Sequence, residues 1–270
     1  MIKKREFISF SGSCPYDCKH CYTFHCAQNS GFKEDDITRL SKSILGKDFD
    51  IVYVSGHKEN FVNPDVGIDL CEKLFVEHSC HIFAITRNVF TDSQVERLRE
   101  LSSLMQARGK KLFVAVSISA LESAAIVENT ENLPTPLERI NFLKRLYEAG
   151  ILNILLLRPL FNNNIIPISE TMKIVDLLQS NVSCVVASGL AVNDGILSKM
   201  GIPSEAFRYA AINSSEYLNG AIVGDNKLVD ITEEYSKLEK KCKQYGLPLF
   251  SHSMEAANWI ADSQLIEVSA

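Results

Sequence analysis

The chain of 270 residues lacks most features that would mark an unusual protein class. Glycine (13) and proline (8) are sparse and tryptophan occurs once, which excludes collagenous and low-complexity readings. No apolar run approaches the roughly 18 residues of a membrane-spanning helix, and no apolar segment follows the basic start to make a signal peptide. Positive charge is not in excess either. With 28 Lys and Arg against 33 Asp and Glu, net −5, the chain does not advertise a phosphate-neutralising surface, so a nucleic-acid partner is disfavoured. These absences point to a soluble, cytoplasmic protein with no membrane partner. What is present is ordinary core material: 46% hydrophobic residues in a chain near the upper size of one domain.

Short apolar runs alternate with amphipathic stretches along the chain. Strands are expected at about 6–11, 50–55, 80–86, 112–118, 152–158 and 182–188, near-continuously apolar as suits a parallel sheet buried on both faces. Helices fall between them. The best punctuated begins at Thr135-Pro136-Leu137-Glu138 and ends at Gly150, and Thr91 with Gln94 repeats the capping pattern. Further helices are expected near 36–45, 65–78 and 168–179. Six strand–helix units imply an α/β fold built as a partial (β/α)6 TIM-like barrel. Long strand-to-helix loops at 12–35, 56–64, 119–134 and 159–168 put the working surface at the carboxyl ends of the strands. Past residue 190 the rhythm fails. A helix at about 231–245, a short strand at 247–251 and a helix near 254–262 form a small C-terminal α/β extension. No linker divides the chain, so residues 1–270 read as one domain, with 1–190 the barrel core and 191–270 the extension.

Eight cysteines are present, and Cys14, Cys18, Cys21 and Cys26 fall within 13 residues. Disulfide frameworks spread their cysteines, whereas metal sites cluster them. Cys14-Pro-Tyr-Asp-Cys18-Lys-His-Cys21-Tyr22 follows the first strand directly. Three thiolates at spacings of four and three can face one centre, and soft sulfur ligands select zinc or an iron–sulfur cluster. Cys26 is a possible fourth ligand or redox partner, an ordinary loop thiol being the commoner reading. Cys71 (with Leu74 and Phe75), Cys242 (with Tyr235, Leu238 and Tyr245), Cys80 and Cys184 all read as core.

The cysteine spacing after a first strand resembles the signature of the radical S-adenosylmethionine superfamily. A looser similarity to its spore photoproduct lyase-like branch covers roughly residues 12–160. It rests on Cys-Pro-Tyr-Asp-Cys…Cys-Tyr, Ile85-Thr86-Arg87, Val116-Ser117-Ile118-Ser119-Ala120-Leu121 and Pro136-Leu-Glu-Arg-Ile…Glu-Ala-Gly150. The resemblance implies a [4Fe-4S] cluster on Cys14, Cys18 and Cys21, with S-adenosyl-L-methionine on its open iron. It also implies an external electron donor such as flavodoxin or ferredoxin and hydrogen abstraction from an unidentified substrate. His20 and Tyr22 flank the third cysteine, where the family often seats the adenine with an aromatic side chain. Ser55-Gly56-His57-Lys58-Glu59 stands in place of the family's Gly-Gly-Glu, keeping one glycine and moving the carboxylate, and Gly56 would admit a bound amine. Ser117 or Ser119 falls where the family binds ribose.

Arg158 breaks an apolar run at the end of the fifth strand and needs an anion, whether a cofactor carboxylate, a substrate phosphate or an internal acid. Arg87, Asn88 and His252 are further candidates for the mouth; His25, His78 and His81 have no special claim. The alternative to an enzyme is a non-catalytic α/β binding or regulatory protein stabilised by zinc or iron–sulfur.

Overall fold

A computed structural model of the chain describes residues 1–11, 14–21, 37–56, 58–129, 131–213 and 227–262. Strands β1 (Arg5–Ile8), β2 (Ile51–Val54), β3 (His81–Thr86), β4 (Leu112–Ser117), β5 (Leu152–Leu160) and β6 (Cys184–Gly189) lie side by side in chain order, all parallel. The crossovers carry α1 (Ile37–Lys42), α2 (Pro64–His78), α3 (Asp92–Ala107), α4 (Ala124–Val127) with α5 (Pro136–Glu148), and α6 (Ile168–Leu178). Sequence neighbours being spatial neighbours is the order of a barrel wall, but β1 stays an open edge. The sheet is a partial barrel. Both capping boxes expected from the sequence form, at Thr91/Gln94 and Thr135/Glu138.

The extension is more elaborate than the sequence suggests. β7 (Ala191–Val192), β8 (Tyr209–Asn213) and β9 (Lys227–Val229) make a second, antiparallel sheet in the order β7-β9-β8, with α7 (Asp194–Met200) beside it. Then come α8 (Thr232–Gln244), β10 (Leu249–Phe250) and α9 (Ser253–Asp262). The strand expected over 247–251 forms only at β10, yet it pairs in parallel with β6 and becomes the seventh strand of the main sheet. Of the stripe that includes Cys242, Tyr245 proves 37% exposed while Cys242 and Leu238 are core.

Period-two alternation sorts the strand residues onto two faces. Val52, Val54, Ile82, Ala84, Val114, Val116, Leu155 and Val185 turn outward and pack on the helices. Tyr53, Phe83, Phe113, Ala115, Leu156 and Val186 turn inward, where Ala256, Ala257 and Ile260 of α9 cover them. Phe7, Tyr53, Phe83 and Phe113 are register partners across four strands, and their rings run side by side, Tyr53 stacked on Phe83 at 4.7 Å. They form an aromatic floor beneath the carboxyl ends of the strands.

Above that floor the loop after β4 is held by Glu170 of α6. Its Oε2 accepts the backbone N–H groups of Leu121 (3.1 Å), Glu122 (2.8 Å) and Ser123 (2.9 Å), and Ser123 Oγ donates to Oε1. Burial works against the charge, but these donors win and hold the Glu170 pKa below its ordinary value. A depressed carboxylate stabilises the fold above its unfolded pKa of about 4.3 and loses that contribution as pH falls through its lower folded value. Glu170→Gln should therefore lower unfolding free energy by about 1.5–3 kcal/mol at neutral pH, with the gap to wild type shrinking in acid. Urea unfolding at both pH values checks it; a gap that widens in acid contradicts the assignment.

Candidate functional site

The cysteine loop leaves the carboxyl end of β1. Asp17 adopts a left-handed conformation (φ 44°), tolerable for Asp, and Cys21 N–H donates to Cys18 O at 3.1 Å to close the turn. Cys14, Cys18 and Cys21, none of them in a disulfide, gather around Tyr16 and Leu133, Cys18 buried and the other two half-buried. Burial pushes the Cys18 thiol up to about 11 against the pull of Arg87, and burial likewise raises Cys14. Three outside contacts fix the loop: Lys19 Nζ on Ala125 O (2.7 Å), His20 N–H on Val127 O (3.3 Å), and an ion pair between Asp17 and Lys199 of α7.

Arg87, just beyond β3, is the hub of the site. Nη1 donates to Ser119 Oγ (3.2 Å) and Glu128 Oε1 (2.6 Å); Nη2 donates to His20 Nε2 (3.2 Å) and Arg158 O (3.3 Å). Glu128, fully buried, is shared with Arg139 of α5, which bonds both carboxylate oxygens and also donates to Ser117 O at 2.7 Å. Burial alone would raise the Glu128 pKa, but the two guanidiniums hold it well below the ordinary range. His20 Nδ1 donates to Val127 O (2.8 Å) and its ring meets Phe161 edge-on, so burial and Arg87 push it down to about 3 and keep it neutral.

The sequence candidates thus fall into two groups. His20, Ser117, Ser119 and Arg158 are joined through Arg87, Arg139 and the Arg158 carbonyl, which also accepts from Ser117 Oγ at 3.3 Å. His20 is only 5% exposed, its ring turned into the protein. Ser55 has φ 68° and its Oγ accepts Asn60 N–H at 2.7 Å, shaping the turn after β2. Gly56 has an internal reason to be glycine, since a Cβ there would meet Phe7 Cδ1 at 2.5 Å. Glu59 is buried, its oxygens accepting the N–H groups of Phe61 (2.9 Å) and Arg87 (2.7 Å), and burial pushes it up to about 7. Asn88 donates to Phe61 O (2.8 Å), His252 N–H caps α9 through Glu255, and His78 and His81 bond Ser41 and Lys111 N. Tyr22, His25, Cys26 and His57 lie outside the described residues.

Arg158 stands apart. Its Nε donates to Ser188 Oγ at 2.7 Å, and among the described residues no carboxylate pairs with it. Inward alternation places Ser117, Arg158 and Ser188 on the mouth side of the aromatic floor. Ser9 Oγ, at the same end of β1, is buried with no partner among the described residues. A cationic, hydroxyl-rich rim above an apolar floor suits a small ligand carrying a carboxylate and an apolar body.

No family model and no curated protein matches the chain by sequence. Solved structures do match its fold. Spore photoproduct lyase with bound AdoMet and dinucleoside spore photoproduct superposes with TM-score 0.62 at 9% identity, over 90% of this chain and 75% of that one. Streptococcus suis SuiB bound to S-adenosylmethionine gives 0.57 at 14% identity over 91% of this chain and 49% of SuiB. A radical SAM methyltransferase from Sphaerobacter thermophilus gives 0.59 at 13% identity, over 91% and 64%. The chain has the radical SAM fold. It spans about half of SuiB (49%) and under two thirds (64%) of the methyltransferase. In this radical SAM fold the cysteine loop and the Arg87 hub share one end of the strands. No helix of the described residues is long and apolar enough to cross a membrane.

Sequence reasoning missed Glu128 and Arg139. Glu128 reads as one more acid in a long loop, and nothing marks it. Arg139 carries a signal: it shares a helical stripe with Leu143 and Leu146, all three fully buried, and a charge on an apolar face needs a partner. Arg139→Met should destabilise the protein by about 3–5 kcal/mol, because a buried carboxylate loses one of its two counter-ions. Chemical denaturation measures this, and a change below about 1 kcal/mol would show that water or Arg87 alone satisfies Glu128.

Proposed function

We propose that the chain is a radical S-adenosylmethionine enzyme. The observation that carries this reading is the C-x-x-x-C-x-x-C loop of free thiols at the carboxyl end of β1 in a radical SAM fold. Cys14, Cys18 and Cys21 would hold a [4Fe-4S] cluster. Their donor set fits: three thiols at this spacing in one loop suit a cluster with one open iron. Among the described residues no three His, Cys, Asp or Glu side chains, Cys14, Cys18 and Cys21 included, converge on one point, so the spacing of the thiols within one loop carries the assignment. Bound together, cluster and S-adenosyl-L-methionine would supply a one-electron reductive cleavage of the sulfonium, giving a 5′-deoxyadenosyl radical for hydrogen abstraction.

The chain's own residues would bind, orient and exclude water. Arg158 offers its unpaired guanidinium to the cofactor carboxylate, with Ser188 fixing its direction. Ser117 and Ser119 present hydroxyls at the end of β4 to the ribose, and the turn at 55–59 borders the amine. Glu59 spends its oxygens on backbone N–H groups, so it shapes that turn and leaves amine recognition to other groups. The aromatic floor and α9 shut the inner side against water. A reduced flavodoxin or ferredoxin would deliver the electron. The net charge of −5 argues against duplex nucleic acid as the substrate.

Anaerobic reconstitution should give iron and sulfide equal to one cluster per chain with a broad visible absorption shoulder. Zinc in place of iron, or twice the iron, overturns the assignment. Cys71→Ala, Cys184→Ala and Cys242→Ala should keep the cluster while losing about 1–3 kcal/mol of stability, since all three are buried packing groups. Arg158→Leu should retain cluster and fold yet weaken S-adenosylmethionine binding at least several-fold, read by equilibrium binding and by 5′-deoxyadenosine yield. Unchanged affinity and yield would move Arg158 to another role.

A further inference from the structure

We propose that Arg87 is a positioning residue that sets the reduction potential of the cluster: its guanidinium, locked beside the metal loop, supplies a fixed positive charge that favours the reduced state. This rests on the reading that Cys14, Cys18 and Cys21 bind a cluster, and deepens it.

Three observations carry it. The first is proximity. His20 sits between Cys18 and Cys21 in the loop, and its buried Nε2 accepts from Arg87 Nη2 at 3.2 Å. Among the charges that act on that guanidinium the Cys18 sulfur comes first, ahead of Glu128 and then Cys21. The second is saturation. The four Nη hydrogens meet four acceptors, on Ser119, Glu128, His20 and Arg158 O. A guanidinium so engaged has no Nη donor left for a ligand, so its remaining influence on the site is its field. The third is the pairing. Glu128 is shared between two guanidiniums, Arg87 and Arg139, so its one negative charge does not cancel both. The side chains of Arg139 and Glu128 are wholly buried and that of Arg87 is largely so, and screening by water and salt is weak there.

The physics fixes the sign. Reduction adds one electron, and so one negative charge, to the cluster; a nearby cation stabilises that product and a nearby anion opposes it. Arg87 therefore raises the potential and Glu128 lowers it. Opposite shifts from two residues in one ion pair are what a merely structural role cannot produce.

The test is a mediated redox titration of the reconstituted protein at one pH, followed by paramagnetic resonance of the reduced cluster. Arg87→Gln is the first variant; Arg139 keeps its bonds to both Glu128 oxygens in it and the Gln amide can still donate toward that carboxylate, and denaturation of the variant checks that it folds. At a fixed electrode poise its reduced-to-oxidised ratio should fall at least about tenfold, which is ~59 mV for a one-electron couple. Arg87→Lys keeps the charge and should restore most of the ratio. Glu128→Gln should move the ratio the other way, and neither shift should fade in high salt. Unchanged potentials, or shifts of the same sign in Arg87→Gln and Glu128→Gln, overturn the proposal. So does failure of both variants to take up iron while wild type does, which would assign the network to building the loop. A wild-type protein that takes up no iron–sulfur cluster is a different result: it fails the functional reading itself.

Discussion

Glu128 is the group on which the rest of the mouth depends. Its side chain is wholly buried, and taking a carboxylate out of water carries a penalty of several kcal/mol that only close, well-directed counter-charges offset. Arg139 and Arg87 approach it from α5 and from the end of β3. Arg139 continues to Ser117 O at the end of β4, and Arg87 continues to Ser119, His20 and Arg158 O. One carboxylate thus registers three strand ends and the cysteine loop against one another. Such an ion network adds little net stability, because attraction and desolvation nearly cancel. Its effect is on alternatives: a slip of any one element strands a buried charge.

Around that anchor the sheet does two separate jobs. Its outer face is mainly aliphatic and held by helices, with Asn153 bonded to Leu143 O of α5, so the strand positions are stiff. Its inner face changes character along the strands, from the aromatic floor of Phe7, Tyr53, Phe83 and Phe113 to the hydroxyls and single cation of Ser117, Ser188 and Arg158. The change of polarity takes place within two residues on each strand. A ligand at the rim therefore meets a polar collar with a dry base, which fixes orientation better than a uniformly polar cleft does.

Much of this was legible in the sequence, for identifiable reasons. Strands buried on both faces write themselves as unbroken apolar runs, so β2 to β6 are found almost to the residue. Capping boxes at Thr91 and Thr135 mark helix starts because the side chains must match orphan backbone donors. The cysteine loop stands out because three cysteines fall at short spacing directly after a strand. The small antiparallel sheet is invisible because strands of two to five residues are too short for alternation to register. Glu128 and Glu59 are invisible for another reason: a buried acid in a loop looks like a solvated one until its donors are known. Gly56 illustrates the converse hazard, a glycine that fits a ligand argument while the ring of Phe7 already requires it.

The clasp between Asp17 and Lys199 and the tie between Ile2 and Asn258 join positions 182 and 256 residues apart. Ile2 N–H donates to Asn258 Oδ1, and Asn258 Nδ2 donates back to Ile2 O at 3.0 Å, so the edge strand is pinned by the last helix. Closing such distant loops is slow, because chain entropy is lost before the contacts form. The cysteine-bearing loop is therefore among the last segments to be secured as the chain folds. Until α7 has docked, the three thiols lack the clasp that holds their loop against the body of the protein.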